Sequence, residues 1–204
     1  MEAAEEACAF MPDLTIAADK GVENALAAGI RIDRILGDFD SIDREALRTV
    51  REQHLPETDF PPEKDFTDTE LALALAMDEA GPDGEILVLG ASGSRLDHTM
   101  ANIFLLKQPT DRGLTCTMQD DHNRIRLLKG PADMTLVHDP EWPYISLLPV
   151  FGYAEGVTLE GFAYPLEKAV MEPGVSLGVS NQLRQEQGKI SVEKGYVLVI
   201  RACD

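Results

Sequence analysis

The chain is expected to fold as an α/β N-terminal domain with a mainly parallel sheet, followed by an all-β C-terminal sandwich. In the first half, short apolar runs alternate with segments of helical periodicity, the pattern of a parallel sheet covered by helices. From about Gly113 onwards the helical segments give way to short β-branched runs punctuated by Gly, Pro, Asp and Asn. A soft boundary near residue 122 divides an α/β unit, 1–122, from a sandwich, 123–204.

In order, "DLTIAAD" (13–19) is a strand candidate, and "GVENALAAG" a helix that Gly29 can end as a C′ glycine. "IDRILGD" (32–38) is the next strand and "DREALRTVREQ" (43–53) the next helix, with Ser41 placed to cap it. A proline-rich loop, "LPETDFPPEKD", leads into the Ala- and Leu-rich helix "TDTELALALAMDEAG". "GEILVLG" (84–90) reads as a buried strand and "SRLDHTMANIFLLK" (94–107) as a further helix. "LTCTM", "RIRLL", "MTLVH", "YISLLPV", "GVTLEGF", "GVSLGVS", "KISVE" and "YVLVIRA" follow as short strands, the first of which could equally close the first sheet. No low-complexity segment or strong internal repeat interrupts the pattern.

The 204 residues carry 36 acidic and 18 basic side chains, a formal net charge of -18. Such a balance argues against a nucleic-acid backbone as partner, since counterion release needs basic patches. A nucleotide remains open, because a magnesium ion reconciles phosphates with carboxylates. Cys8, Cys116 and Cys203 are scattered without CxxC spacing and read as reduced thiols rather than a disulfide framework or a zinc site. The start, "MEAAEEACAF", lacks the basic and apolar regions of a signal peptide, and no stretch approaches a membrane span. A cytoplasmic enzyme or binding protein is expected.

Three polar clusters each lie just after an apolar strand or loop and just before a helix, where the strand ends of an open α/β sheet gather their ligands. In "GDFDS", Asp38 and Asp40 are alternate residues on an extended backbone and can share a face. Two converging carboxylates need a cation between them, and oxygen-only ligands suit magnesium; a turn capping the next helix is the plain alternative. In "EKDFTDTE", Thr67 and Glu70 form a T-x-x-E capping box, and Asp65 and Asp68 sit at the helix start, where acidic residues are favoured by the dipole alone. Lys64 could meet a phosphate that the metal also touches.

The third cluster is "GASGSRLDHTMAN" (90–102), whose Gly and Ser residues suit phosphate approach to backbone N–H groups. Arg95 offers a planar fork for a phosphate, and Ser94 and Asp97 can cap the helix. His98 and Asn102, four apart, share a face; His98 reads first as a structural histidine, and Asn102 stands with the nucleotide candidates. Asp19 closes "TIAAD" at an equivalent strand end and can join the acidic group. Trp142, beside two prolines, reads as packing, and "DDHN" (120–123) as a loop.

These motifs resemble the thiamine pyrophosphokinase family. The matching blocks run in order over nearly the whole chain: "IAADKG", "LGDFDS", "KDFTDTELAL", "GASGSRLDHTMANIFLL", "YISLLPV", "VTLEGFAYPL", "GVSNQL" and "VEKGYVLVI". The resemblance implies a homodimer with its active site at the interface, an α/β domain holding ATP and magnesium, and a sandwich against which thiamine lodges. It implies transfer of the pyrophosphoryl group of ATP to the hydroxyethyl oxygen of thiamine, giving thiamine diphosphate and AMP. Position by position, Asp38, Asp40 and Asp65 resemble the magnesium-binding carboxylates, and Lys64, Thr67, Asp68, Arg95 and Asp97 the nucleotide and phosphate motifs. Asp97 is a candidate acceptor for the thiamine hydroxyl proton, and Ser180 and Asn181 fall in the "SN" segment associated with thiamine.

The chain departs from the family's pattern in three places. Lys20 stands where a second glycine is usual and is expected to obstruct a positive φ or a close ligand approach. Ser94 replaces a common glycine. The chain also starts within the helix that precedes "IAAD", so the sheet is expected to lack a strand. Two rivals stand beside the main reading. "DFDS" imitates the DxDx[TV] nucleophile motif of haloacid-dehalogenase-type phosphatases, which would form an aspartyl-phosphate on Asp38. A degenerate nucleotide- or thiamine-binding module without turnover is the other.

Overall fold

The structure, a computed structural model, describes residues 12–37, 42–52, 57–58 and 66–204. Strand β1 (Ile16–Ala18) runs into helix α1 (Gly21–Ala27), and strand β2 (Arg34–Leu36) pairs with β1 in parallel, Ala18 beside Leu36. Helix α1 ends as "ALAAG" predicts. Gly29, at φ 68, donates to Leu26 O and Ile30 N donates to Ala25 O, the paired bonds that close a helix through a left-handed glycine. Helix α2 (Arg44–Glu52) and strand β3 (Glu57–Thr58) follow, β3 pairing in parallel with β2. At the start of α2 it is Asp43 whose Oδ1 accepts from Glu45 N at 2.8 Å, while its own N–H donates to Glu23; Ser41 lies outside the described residues. Ala17, Val22, Ala25, Ile32, Ile35 and Ile42 form the small core of this part.

Helix α3 (Asp68–Glu79) starts where the capping box places it, Thr67 Oγ1 accepting from Glu70 N at 3.2 Å. The return bond expected of Glu70 is replaced: its Oε1 accepts instead from Gln108 Nε2 at 2.9 Å, tying α3 to a later helix. Strand β4 (Glu85–Leu89) is only half buried. Ile86 and Val88 pack under the helices, but Leu87 on the opposite face is 39% exposed, because β4 ends its sheet among the described residues and is covered on one side. Helix α4 (Leu96–Leu105) and the short α5 (Lys107–Asp111) meet at Leu106, which is buried.

Among the described residues the later strands join β4 in one eight-stranded sheet that curls over on itself. They are β5 (Thr115–Gln119), β6 (Asn123–Lys129), β7 (Ala132–Val137), β8 (Tyr144–Glu160), β9 (Leu166–Met171), β10 (Gln187–Val192) and β11 (Lys194–Ala202). Strand β5 pairs in parallel with β4 and antiparallel with β6, so the ladder runs unbroken across the expected junction near residue 122. "YISLLPV" and "GVTLEGF" are one strand, β8, bent where Phe151 and Gly152 take φ 59 and 129. Its first half pairs with β11 and its second with β9 and β10, so β8 passes from one layer of the sandwich to the other. Leu147, Val197 and Val199 from one layer meet Val157, Leu159 and Ile190 from the other in a single core. "GVSLGVS" forms turns rather than a strand, since Gly174, Gly178 and Ser180 adopt φ of 89, 92 and 55.

Candidate active site

Parallel pairing of β1 and β2 brings two strand ends together. Asp19, just past β1, donates its N–H to Leu36 O at 3.1 Å and so stands beside Gly37, just past β2. Gly37 has φ 127, and a Cβ there would lie 2.3 Å from Asp19 Oδ1. Glycine is therefore required at this point: it makes room for a carboxylate immediately before "DFDS". Asp19 itself takes φ 45, a left-handed conformation that Asp tolerates better than most residues. Lys20, by contrast, has φ -58, and its carbonyl accepts from Asn24 N at the start of α1. The expected backbone conflict at Lys20 is absent; the positive φ falls one residue earlier.

Asp38, Asp40, Lys64 and Asp65 lie outside the described residues. Among those that are described, no three His, Cys, Asp or Glu side chains gather to hold a metal ion. Thr67 spends its hydroxyl on the cap, and Asp68 opens the first turn of α3, which packs against β1 and β2.

The loop between β4 and α4 is bound mainly to itself. Arg95 occupies the N-cap of α4 with no side-chain cap, so the caps expected from Ser94 and Asp97 are not made; a flexible hydroxyl is supplied by Thr99, which accepts from Gly93 N and donates to Arg95 O. Arg95 instead forms a two-pronged ion pair with Asp97, Nη2 to Oδ2 at 2.5 Å and Nε to Oδ1 at 3.2 Å. Both side chains are well exposed, at 67% and 64%. The hydrogen bond from Arg95, working against desolvation, holds the Asp97 carboxyl well below its ordinary value, at about 2. A carboxylate so weakly basic is a poor proton acceptor at neutral pH. Asn102 Nδ2 donates to Ala91 O at 2.8 Å, fastening the helix to the loop, and His98 is exposed.

"DDHN" holds a contact that its composition hid. Asp120, at the end of β5, accepts from Ser92 Oγ at 2.5 Å and from the N–H groups of His122 and Asn123. Burial pushes this carboxyl up, but the bonds from Ser92, His122 and Asn123 outweigh it and leave Asp120 below its ordinary value. The glycine-serine loop is thereby pinned to the β5–β6 turn. An Asx-turn signal, an Asp whose carboxylate can accept from the N–H groups two and three residues on, is the available clue.

On the sandwich, Ser180 takes φ 55 and donates its N–H to Ser146 Oγ at 3.0 Å. Asn181 is 1% exposed, and its carboxamide is consumed within the chain: Oδ1 accepts from Tyr164 N and Gln182 N, and Nδ2 donates to Tyr164 O. Its backbone bridges to Ile145 on β8. The residue it holds, Tyr164, is 71% exposed.

The family model described as "Thiamin pyrophosphokinase, catalytic domain" matches residues 10–118, and that described as "Thiamin pyrophosphokinase, vitamin B1 binding domain" matches residues 133–197. The chain belongs to the thiamine pyrophosphokinase family. It is 34% identical to the thiamine pyrophosphokinase of Bacillus subtilis (strain 168), over 96% of this chain and 94% of that one. Identity to thiamine pyrophosphokinase 1 of Oryza sativa subsp. japonica is 26%, over 93% of this chain and 72% of the relative. The crystal structure of the Bacillus subtilis enzyme superposes with a TM-score of 0.87 at 30% identity, covering 97% and 92% of the two chains. That of the Geobacillus thermodenitrificans thiamin pyrophosphokinase gives 0.83 at 34% identity, covering 94% and 87%. As a thiamine pyrophosphokinase the chain is a kinase-type transferase. No helix among the described residues is long and apolar enough to cross a membrane.

Proposed function

We propose that this chain transfers the pyrophosphoryl group of ATP to the hydroxyl of thiamine, with Asp38, Asp40 and Asp65 holding magnesium. The observation that carries the reading is the pairing of Asp19 with Gly37: a carboxylate accommodated at adjoining parallel strand ends, directly before the Asp38–Asp40 pair. Oxygen-only donors fit magnesium, which would neutralise phosphate oxygens during transfer. Arg95, its fork oriented by Asp97, and Lys64 would offset charge on the phosphates; Thr67 and Asp68 set the start of α3 beside them, and Asn102 holds the loop. Asp97 in this reading orients Arg95 rather than taking the thiamine proton. The parallel pairs β1–β2, β2–β3 and β4–β5 support an α/β unit for ATP within 1–122, and the curled antiparallel layers support a thiamine-binding sandwich within 123–204.

Ser180 and the exposed ring of Tyr164, fixed by Asn181, form the thiamine side. An apolar stripe one helical turn apart, Leu96, Met100 and Phe104, is 71%, 41% and 45% exposed on the helix that follows Arg95. Its exposure supports a homodimer in which a second copy completes the site.

Incubation with ATP, magnesium and thiamine, followed by chromatography, tests the assignment: thiamine diphosphate and AMP should form in equal amounts. Tight binding of ATP or thiamine without AMP would establish the module that binds and does not turn over. AMP release independent of thiamine would sink the proposed transfer.

A further inference from the structure

Strands β4 and β5 run in parallel with Leu89 beside Gln119, so Gly90 and Asp120 each stand just past a strand end, next to one another. The same arrangement sets Gly37 beside Asp19 at the ends of β2 and β1. Gly90 turns the chain at φ 67, and Ser92, two residues on, brings its hydroxyl back to Asp120, 28 positions away.

The two sides of this bond are held differently. Asp120 N donates to Asn123 O, and Asp120 Oδ1 accepts from His122 N, Asn123 N and Asn123 Nδ2 at 2.8, 2.7 and 3.0 Å. The pairing of Gln119 with Arg124 fixes this turn to the β5–β6 ladder. Cys203, just past β11, braces it from another side: its N–H donates to His122 O at 3.1 Å, and its Sγ lies 3.6 Å from Asp121 O. Across the bond, Gly93, Ser94 and Arg95 are exposed. The loop's bonds from Asn102 Nδ2 to Ala91 O and from Gly93 N to Thr99 Oγ1 run to its own helix, α4. The bond from Ser92 Oγ to Asp120 Oδ2, at 2.5 Å, refers the loop to the sheet instead. Burial pushes the Asp120 carboxyl up, but Ser92, His122 and Asn123 outweigh it, so an ionised acceptor meets the hydroxyl at neutral pH.

We infer, on the reading that ATP binds this loop, that Asp120 is a positioning residue: through Ser92 it sets the segment that carries Arg95 to the phosphates. A carboxylate aimed at a phosphate would repel it. Spent on Ser92 and the turn, the Asp120 charge restrains the loop from behind. A loop held in place before ATP arrives avoids an ordering cost that would weaken binding. Thiamine, lodged on the sandwich in the same reading, gains nothing from this restraint, so the effect is specific to one substrate.

Steady-state kinetics with each substrate varied in turn test the role. Ser92→Ala removes the hydroxyl and leaves the turn's own bonds in place. It should raise the KM for ATP about tenfold, the loss of one hydrogen bond to a charged group, and leave the KM for thiamine unchanged. Ser92→Thr, which keeps the hydroxyl, should restore it. Asp120→Asn keeps an oxygen for the turn but loses the charge that holds Ser92; the KM for ATP should rise here too, and this variant decides if Ser92→Ala does not fold. Combining the two should raise it no further than the larger single change. Nitrogen-15 relaxation of the ligand-free Ser92→Ala chain should show lower backbone order at residues 92–95 and none lost in β5. A wild type that makes no thiamine diphosphate refutes the ATP reading and the role with it. In an active wild type, an unmoved KM for ATP, an equal rise in both KM values, or unchanged order at residues 92–95 overturns the positioning role alone.

Discussion

Asn181 grips Tyr164 with both ends of its carboxamide, Oδ1 accepting from Tyr164 N at 3.0 Å and Nδ2 donating to Tyr164 O at 2.8 Å. The two residues are 17 positions apart, so one buried side chain fixes the turn that presents an exposed ring.

Asn181→Ala leaves two N–H groups and a carbonyl without partners and should cost about 2–4 kcal/mol in urea denaturation. Asn181→Asp should cost at least as much, because a carboxylate oxygen would then face the Tyr164 carbonyl. In variants that stay folded, the KM for thiamine should rise more than that for ATP. An Asn181→Asp protein of wild-type stability would refute the clamp.

Gly37→Ala should destabilise the fold by about 1–3 kcal/mol from its φ alone, with the clash against Asp19 added. Activity should fall with it. Gly21→Ala makes the matched control, since nothing lies within 4 Å of its Cβ position and the residue is helical. Thermal melts in which both variants behave alike would show that the Gly37–Asp19 contact does not matter.

The Arg95–Asp97 pair carries a pH signature. Asp97 is depressed in the folded chain from 3.8 to about 2. Its contribution to stability is therefore complete above the ordinary carboxylate range and is lost as pH falls through about 2. Carboxyl NMR should give a midpoint near that value, and Arg95→Gln should return it towards 3.8. An unmoved midpoint in the variant would mean that Arg95 is not the cause.

Asp38→Asn and Asp65→Asn should each abolish conversion of ATP to AMP while the circular dichroism spectrum stays that of the parent. Magnesium titration should then fail to restore turnover. Wild-type rates in both variants would remove these carboxylates from the metal site.

Several elements were legible from local chemistry alone. Thr67 caps α3 and Gly29 ends α1, since each needs only neighbouring backbone groups. What escaped depends on residues distant in sequence. Glu70 was expected to close its own capping box, but Gln108 competes for its carboxylate. "GVSLGVS" has the residues of a strand, yet three of its positions or neighbours need positive φ. "LEKAVM", without clean alternation, becomes β9 because β8 offers it an edge. Asp19 follows the end of its strand as "TIAAD" indicates, whereas "DDHN" reads as a loop because only folding brings Ser92 to Asp120. Arg95 and Asp97 each suit a separate use, and no spacing rule distinguishes those uses from pairing with one another.

The seam at β5 also bears on how such a protein can be recombined. The two family models meet on either side of residues 119–132, and the hydrogen-bonded ladder from β4 through β5 to β6 runs through that stretch. A chimera cut near residue 122 would exchange not two modules but two parts of one sheet, asking a foreign β6 to match the register of Thr117 with Arg126 and Gln119 with Arg124. Grafting a new C-terminal half onto this N-terminal half should therefore succeed when β5 and β6 travel together, and fail through mispaired edges when they are separated.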